Sequence, residues 1–110
     1  MTGPRKRIQL LHPDPDKSAP RIDLWKYRAV KSAILLALSA DPTVRFSALP
    51  DIVRTNLSPD EVEKLGSVSW YTTSVKLDLE ARGLLECIPG SRPQALRLIR
   101  QMDEPNPGDE

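Results

Sequence analysis

Apolar residues recur at spacings of three and four between residues 67 and 83, which predicts one long helix. Ser67 can cap its start with its hydroxyl, and Gly83 can adopt the left-handed conformation that ends a helix. The predicted core stripe contains Val68, Tyr71, Val75 and Leu79. A second apolar face, nearly opposite, contains Trp70, Leu77 and Ala81, with Ser74 beside them. The polar stripe between these faces contains Ser69, Thr73, Lys76 and Glu80.

Shorter patterns before this helix predict a strand and three further helices. Arg7–Leu11 fits a short strand, and the first helix runs from Leu24 to Ser39 with Asp23 as its N-cap. Trp25 and Leu36 lie away from the core face of that helix, so we expect it to be buried on more than one side. A second helix begins near Ser47. A short third helix follows the capping box of residues 58–61 and ends at Gly66.

The segment after Gly83 predicts a β-hairpin, with strands at 84–88 and 94–99 around a Pro-Gly turn. Strand, helix, helix, short helix, long helix and hairpin is the element order of a winged helix-turn-helix. We therefore predict an α+β winged helix-turn-helix domain over residues 7–100. It has three main helices, one short helix, a C-terminal hairpin wing and a short N-terminal strand. Residues 1–6, a basic segment, and residues 101–110, an acidic tail, are expected to be disordered.

Two motifs strengthen the prediction of the fold. The run from Leu77 to Leu85, LDLEARGLL, resembles the junction between recognition helix and wing in bacterial winged-helix regulators. Ile8 to Pro13, Arg21 to Asp23 with Lys26-Tyr27, and Trp70-Tyr71 with Val75 and residues 77–81 resemble a family of small bacterial proteins of unknown function. The resemblance implies a winged-helix fold and no settled activity. That family commonly has a lysine where this chain has Thr73, so the polar stripe here lacks one cation.

Composition excludes several classes of function. No run of about 18 apolar residues is present, so no membrane span is expected. The single cysteine, Cys87, favours a reducing, cytoplasmic setting, and with one histidine it cannot build a structural zinc site. His12 with Asp14 and Asp16 is a weak metal candidate that we interpret as a loop. No nucleotide-binding glycine loop or nucleophile motif occurs, so we expect no cofactor, no metal and no enzymatic activity.

Charge leaves the choice of partner open. The net charge is +1, yet residues 1–31 hold eight Lys/Arg against three Asp, and residues 101–110 hold four acids and no base. One hypothesis is a DNA-binding regulator that binds double-stranded DNA. Its candidate contacts are Ser69, Thr73 and Lys76 in the major groove, Arg92 at the hairpin tip, and Arg5, Lys6 and Arg7 on phosphates.

The alternative hypothesis is a protein-interaction or homodimerisation module. An apolar patch of Trp70, Leu77 and Leu84 would contact the partner, because exposed aromatic residues favour protein contact. A plainer interpretation is that the N-terminal strand covers Trp70 and completes the core. The exposure of Trp70 separates these interpretations.

Overall fold

The computed structural model describes residues 6–99. The predicted basic and acidic ends, apart from Lys6, lie outside the described residues. The described residues form four α-helices: α1 (Leu24–Ala40), α2 (Leu49–Asn56), α3 (Pro59–Leu65) and α4 (Val68–Ala81). Five strands accompany them: β1 (Arg7–Gln9), β2 (Arg21–Asp23), β3 (Val44–Arg45), β4 (Leu85–Cys87) and β5 (Ala95–Leu98). The predicted mixed α+β class is confirmed.

The strands form two small antiparallel sheets. β1 pairs with β2, with Ile8 opposite Ile22. The second sheet has the order β3-β5-β4, so β5 lies between the other two strands. Leu96 is opposite Val44 on one side and Cys87 on the other. The sequence predicted the hairpin of β4 and β5 and the strand around β1, but not β2 or β3. β2 runs directly into α1, and β3 has only two residues, so neither shows an alternation of its own.

The capping box that starts α3 is confirmed. The Ser58 hydroxyl accepts from the Glu61 N–H, and the Glu61 carboxylate accepts from the Ser58 N–H. Asp23 occupies the predicted N-cap position of α1, but without a side-chain cap hydrogen bond. It instead pairs with Arg7, because antiparallel pairing brings these two residues opposite each other. The helix expected near Ser47 begins as a single 3₁₀ turn at Phe46–Ala48 before α2.

The core lies where α1, α2 and α4 pack on one another and on the second sheet. α1 contacts both other helices, and the strongly buried residues Val30, Ile34, Val53, Val75 and Leu79 fill the space between them. Leu85 and Leu96 cover its sheet side. The β1–β2 segment adds Leu10 and Ile22, so the N-terminal segment belongs to the domain.

Candidate functional site

Both ends of α4 form as the sequence predicts. The Ser67 hydroxyl accepts from the Trp70 N–H at 3.1 Å. At the other end, Gly83 has φ +80°, and the Leu84 N–H donates to the Leu79 carbonyl at 2.9 Å. This Schellman-type ending requires a left-handed residue, which glycine adopts without steric cost. α4 is therefore anchored at both ends, and its rotation about its own axis decides which side chains are exposed.

The buried face of α4 is more polar than the sequence predicts. Val68, Val75 and Leu79 are buried as expected, but Tyr71 is only half-buried. Thr72 and Asp78, which the predicted core stripe omits, are fully buried. An apolar stripe identifies apolar neighbours only, so polar residues that are buried through a specific partner escape it.

Asp78 is the centre of the largest buried polar network. Its Oδ1 accepts from the Leu11 N–H at 2.8 Å. Its Oδ2 accepts from the Tyr27 hydroxyl at 2.7 Å and from Arg82 Nε at 2.8 Å. One carboxylate thus joins the N-terminal segment, α1 and α4, and its charge is compensated by the guanidinium. Thr72 differs, because its buried Oγ1 has no hydrogen-bond partner among residues 6–99.

The pKa is raised for two members of the hydrogen-bond network around Asp78, Tyr27 and Arg82. Burial, and secondly the hydrogen bond to Asp78, raise the pKa of the Tyr27 hydroxyl to about 12. The hydrogen bond to Asp78 raises the pKa of the Arg82 guanidinium. Both shifts keep the Tyr27 hydroxyl and the Arg82 guanidinium protonated across the physiological range, which is expected of structural groups and not of an acid–base catalyst.

Lys76, placed by the sequence on the polar stripe and among the candidate major-groove contacts, is buried. It is 5% exposed. Its Nζ lies 3.3 Å from Glu80 Oε1 and 4.8 Å from the centre of the Phe46 ring. The Cys87 thiol donates to the other Glu80 oxygen at 3.0 Å, and burial followed by this bond raises the pKa of the thiol. Lys76 is therefore occupied within the domain and is not presented to a groove of DNA.

The remaining DNA candidates are dispersed. Ser69 and Thr73 are exposed on α4, and Arg92 is exposed in the turn between β4 and β5. Lys6 is exposed, and its carbonyl accepts from the Leu24 N–H. Arg7 is held by Asp23, and Arg5 lies outside the described residues. The exposed side of α4 thus carries hydroxyls and one indole and no lysine.

The apolar patch predicted around Trp70 exists in a different form. Trp70 is 46% exposed, so the N-terminal strand does not cover it. Leu84 packs against the core and Leu77 is half-buried, so neither joins Trp70 in an exposed patch. The ring that meets Trp70 belongs to the next residue of α4, Tyr71, and Tyr71 in turn contacts Lys26 of α1, a link that the sequence could not reveal without the helix packing.

An exposed aromatic cluster crosses from α4 to α1. The Trp70 and Tyr71 rings meet edge to face, with centres 4.8 Å apart. Lys26 Nζ lies 5.0 Å from the centre of the Tyr71 ring and 5.8 Å from that of Trp25, and it donates to the Tyr71 hydroxyl at 3.3 Å. Trp25 is 41% exposed. We call Trp25, Lys26, Trp70 and Tyr71 the aromatic surface.

The described residues hold neither a candidate metal site nor a helix that could span a membrane. Residues 6–99 contain no group of three His, Cys, Asp or Glu side chains that could hold a metal ion. The His12 Nδ1 accepts from the Asp14 N–H at 2.9 Å, which makes it part of a turn. None of the helices within 6–99 has the length and apolar character needed to cross a bilayer.

The fold and surface define a small α+β domain with a buried polar hub and an exposed aromatic surface. The chain belongs to a family of unknown function, DUF6958, whose family model matches residues 7–96. That range includes both sheets except the last residues of β5, and all four helices. Neither a curated protein nor a solved structure matches the chain significantly.

Proposed function

We propose that this chain is a winged-helix module that binds another protein through its aromatic surface. The winged-helix assignment is supported by topology. The elements α1, β3, α2, α4, β4 and β5 follow in that order, and β5 pairs with both β3 and β4. In such a fold α4 occupies the position of the recognition helix, the β4–β5 hairpin is the wing, and α3 is an extra turn of helix before α4.

The exposure of both tryptophans of the chain in one cluster carries the proposal. Burying an aromatic side chain is strongly favourable, and tryptophan and tyrosine are the residues most enriched at the energetic centres of protein interfaces. Two half-exposed indoles joined by Tyr71 and Lys26 therefore indicate a surface that a partner covers.

The charge within the aromatic surface specifies the partner further. Lys26 donates to a tyrosine hydroxyl, and no carboxylate among residues 6–99 pairs with it. Its ammonium is held between two rings, where it attracts an anionic group. The partner is thus expected to place an apolar anchor against the indoles and an Asp or Glu against Lys26.

Single-stranded nucleic acid fits this surface less well. Bases stack on free ring faces, whereas the Lys26 ammonium lies over one face of Tyr71 and near the Trp25 ring. The Trp70 and Tyr71 rings are 81° apart, so they form no parallel platform. One ammonium also provides little of the phosphate-binding groove that single strands require.

Double-stranded DNA is a second candidate, favoured by the topology and by the exposed Arg92 at the wing. It is disfavoured by α4, since base edges are mostly contacted by Arg, Lys, Asn and Gln. α3, just before α4, adds the acidic residues Asp60, Glu61 and Glu63. We rank this candidate below protein binding for that reason.

Site-specific photo-crosslinking tests the proposal. A benzophenone amino acid replaces Thr73, an exposed residue one turn from Trp70, in cells that produce the protein. We expect a protein adduct that mass spectrometry identifies, and the purified partner should bind the chain directly. Trp70→Ala and Lys26→Glu should each weaken that binding at least tenfold, whereas Arg92→Ala should leave it unchanged. Binding that neither Trp70→Ala nor Lys26→Glu weakens contradicts the proposal.

A mobility-shift assay separates the nucleic-acid alternatives. Random 30-base-pair duplex and 30-nucleotide single strands are titrated at low and at physiological salt. A salt-dependent duplex shift that Arg92→Ala abolishes would support the DNA candidate. A single-strand shift that Trp70→Ala abolishes would assign the aromatic surface to nucleic acid. We expect neither.

A further inference from the structure

A second apolar feature lies on the side of α1 that faces away from the core. It is a groove of about 750 Å³. Trp25, Ala29 and Leu36 lie along its floor at spacings of four and seven, one face of a helix. Leu57, at the end of α2, closes one side. Leu36 is 57% exposed, so the most apolar part of the floor is also the most accessible.

The groove lies on a face of α1 that the sequence predicts to be buried. The apolar residues of α1 extend around most of its circumference, which is typical of a helix buried on more than one side. The opposite face of α1 is buried in the core through Val30, Ile34 and Ala37. Nothing within residues 6–99 covers Leu36 in the same way. The pattern of the helix therefore calls for a second layer that the described residues do not supply.

The rim of the groove carries charges of both signs. Lys6, Asp23, Arg28 and Glu61 line it, two cations and two carboxylates. The Arg28 guanidinium has no carboxylate partner among residues 6–99. Glu61 uses one oxygen to accept from the Ser58 N–H, and its other oxygen accepts no hydrogen bond from residues 6–99. A rim with both signs of charge is not complementary to a uniformly acidic or a uniformly basic partner. It is complementary to the same rim on a second copy of the chain.

We infer that two of the charges on this rim, Arg28 and Glu61, lie on opposite flanks of the floor. At 100° per residue, Arg28 and Ala33 project to opposite sides of the row from Trp25 to Leu36. Asn56 Nδ2 donates to the Ala33 carbonyl at 3.2 Å, so the end of α2 lies on the flank of Ala33. Glu61, in the helix that follows, lines the same groove, and we infer that it lies on this flank too. Positive and negative flanks on one apolar surface are what a self-complementary contact requires.

We propose that a second copy of this chain covers the groove, forming a homodimer through the outer faces of the two α1 helices. A two-fold axis running along α1 sets Arg28 of each copy beside Glu61 of the other, with Leu36 and Trp25 buried between them. This inference goes beyond the proposed function, because its central residue, Leu36, lies outside the aromatic surface. Trp25 belongs to both surfaces, so neither test relies on it.

The mass of the purified full-length chain in solution tests the dimer. Light scattering with size-exclusion chromatography from 1 to 200 µM should give about twice the 12.3 kDa of one chain. Leu36→Glu should yield a monomer, raising the dissociation constant at least a hundredfold. Leu11→Glu is the matched control, since Leu11 is an exposed leucine outside the groove, and it should remain a dimer. Circular dichroism and thermal melting verify that both variants fold.

A charge exchange tests the arrangement of the two copies. Arg28→Glu places two acids at each flank contact, and Glu61→Arg places two bases there, so each variant alone should be monomeric. Mixed together, the two variants restore opposite charges at both contacts and should form a heterodimer. A wild-type chain that stays monomeric at 200 µM overturns the proposal, as does a dimer that Leu36→Glu does not dissociate. A dimer broken by Leu36→Glu, with a mixture that stays monomeric, overturns the two-fold axis along α1.

The two proposals fail separately. Leu36→Glu should abolish the dimer and keep the protein adduct formed from position 73. Trp70→Ala should weaken the adduct and keep the dimer. If each variant instead lost both the dimer and the adduct, a single surface would serve both, which contradicts the assignment of the groove to a second copy.

Discussion

The two sides of α4 place their side chains in environments opposite to those expected from polarity: polar residues are buried on the inner side, and an aromatic residue is exposed on the outer side. On the inner side, Asp78 and Lys76 are buried polar residues whose partners lie within the chain. On the outer side, Trp70 is an aromatic residue left half in solvent. Burial of charge is tolerated only with compensation, and exposure of a large apolar group is unfavourable for the isolated domain. The inner side is therefore expected to determine stability, and the outer side to determine binding.

The largest effect is expected at the inner side, from Asp78→Ala. Three donors would lose their acceptor in a fully buried site, one of them a guanidinium. We expect a loss of about 3–5 kcal/mol in the free energy of unfolding, measured by urea denaturation. Asp51→Ala, on the exposed first turn of α2, is the control and should change it by less than about 0.5 kcal/mol. A loss below about 1 kcal/mol at Asp78 would remove its role as the hub.

The sequence predicted the secondary structure on which this comparison rests better than the side-chain contacts on the two sides of α4. Helix α4, its two ends, the capping box of α3 and the β4–β5 hairpin all follow from local signals, namely caps, glycine and period. The Asp78 hub does not, because its donors come from residues 11, 27 and 82, which only the tertiary fold brings together. The sequence did not predict the aromatic surface for the same reason, since Lys26 and Tyr71 lie on different helices.

Lys76 shows how a helical wheel misplaces a residue. Its angular position borders the core stripe, and a long aliphatic stem allows it to lie along Phe46 while its ammonium reaches Glu80. Polar residues at such borders are assigned to solvent by pattern alone. Their true position depends on whether a neighbouring element, here the 3₁₀ turn containing Phe46, closes over them.

The second-largest effect is expected from Lys76→Met, which keeps the stem and removes the charge. Glu80 would lose its ammonium partner in a mostly buried place, and we expect a loss of about 2 kcal/mol in the free energy of unfolding. Lys64→Met is the matched control. Lys64 pairs with Asp60 across one helical turn with both side chains exposed, and its loss should cost less than about 0.5 kcal/mol. Equal effects at the two positions would show that Lys76 is solvated.

Alkaline pH should weaken the inner side through Tyr27. The folded chain holds the Tyr27 proton up to a pKa of about 12, above the ordinary value of 10.0. Between pH 10 and 12 the folded state therefore binds more protons than the unfolded state, and stability falls as pH rises. The decrease is expected to be on the order of 2 kcal/mol, followed by denaturation at each pH. Tyr27→Phe should be less stable at pH 8 and show a shallower decrease. An unchanged slope would exclude Tyr27 as its source.

Thr72 is the one exception on the inner side, and its removal should stabilise the domain. Its buried hydroxyl lacks a partner among the described residues. Thr72→Val keeps the β-branched shape and removes the unsatisfied oxygen, so we expect a gain of about 1 kcal/mol in the free energy of unfolding. Thr73→Val, one residue away and exposed, should change it by less than about 0.5 kcal/mol. Destabilisation by Thr72→Val would reveal a partner for the hydroxyl.

The smallest effect on stability is expected from Trp70→Ala, although it removes the largest side chain of the helix. The lost contacts include the edge-to-face pair with Tyr71, and the half of the indole that faces solvent contributes nothing to folding. We expect a loss below about 1 kcal/mol in urea denaturation, together with the tenfold loss of partner binding expected above. Leu79→Ala, on the buried side of the same helix, should cost about 2–5 kcal/mol. A loss at Trp70 comparable to that at Leu79 would mean that the indole belongs to the core. The aromatic surface would then not indicate a binding site, because Trp70 would stabilise the folded domain and would not be available to a partner.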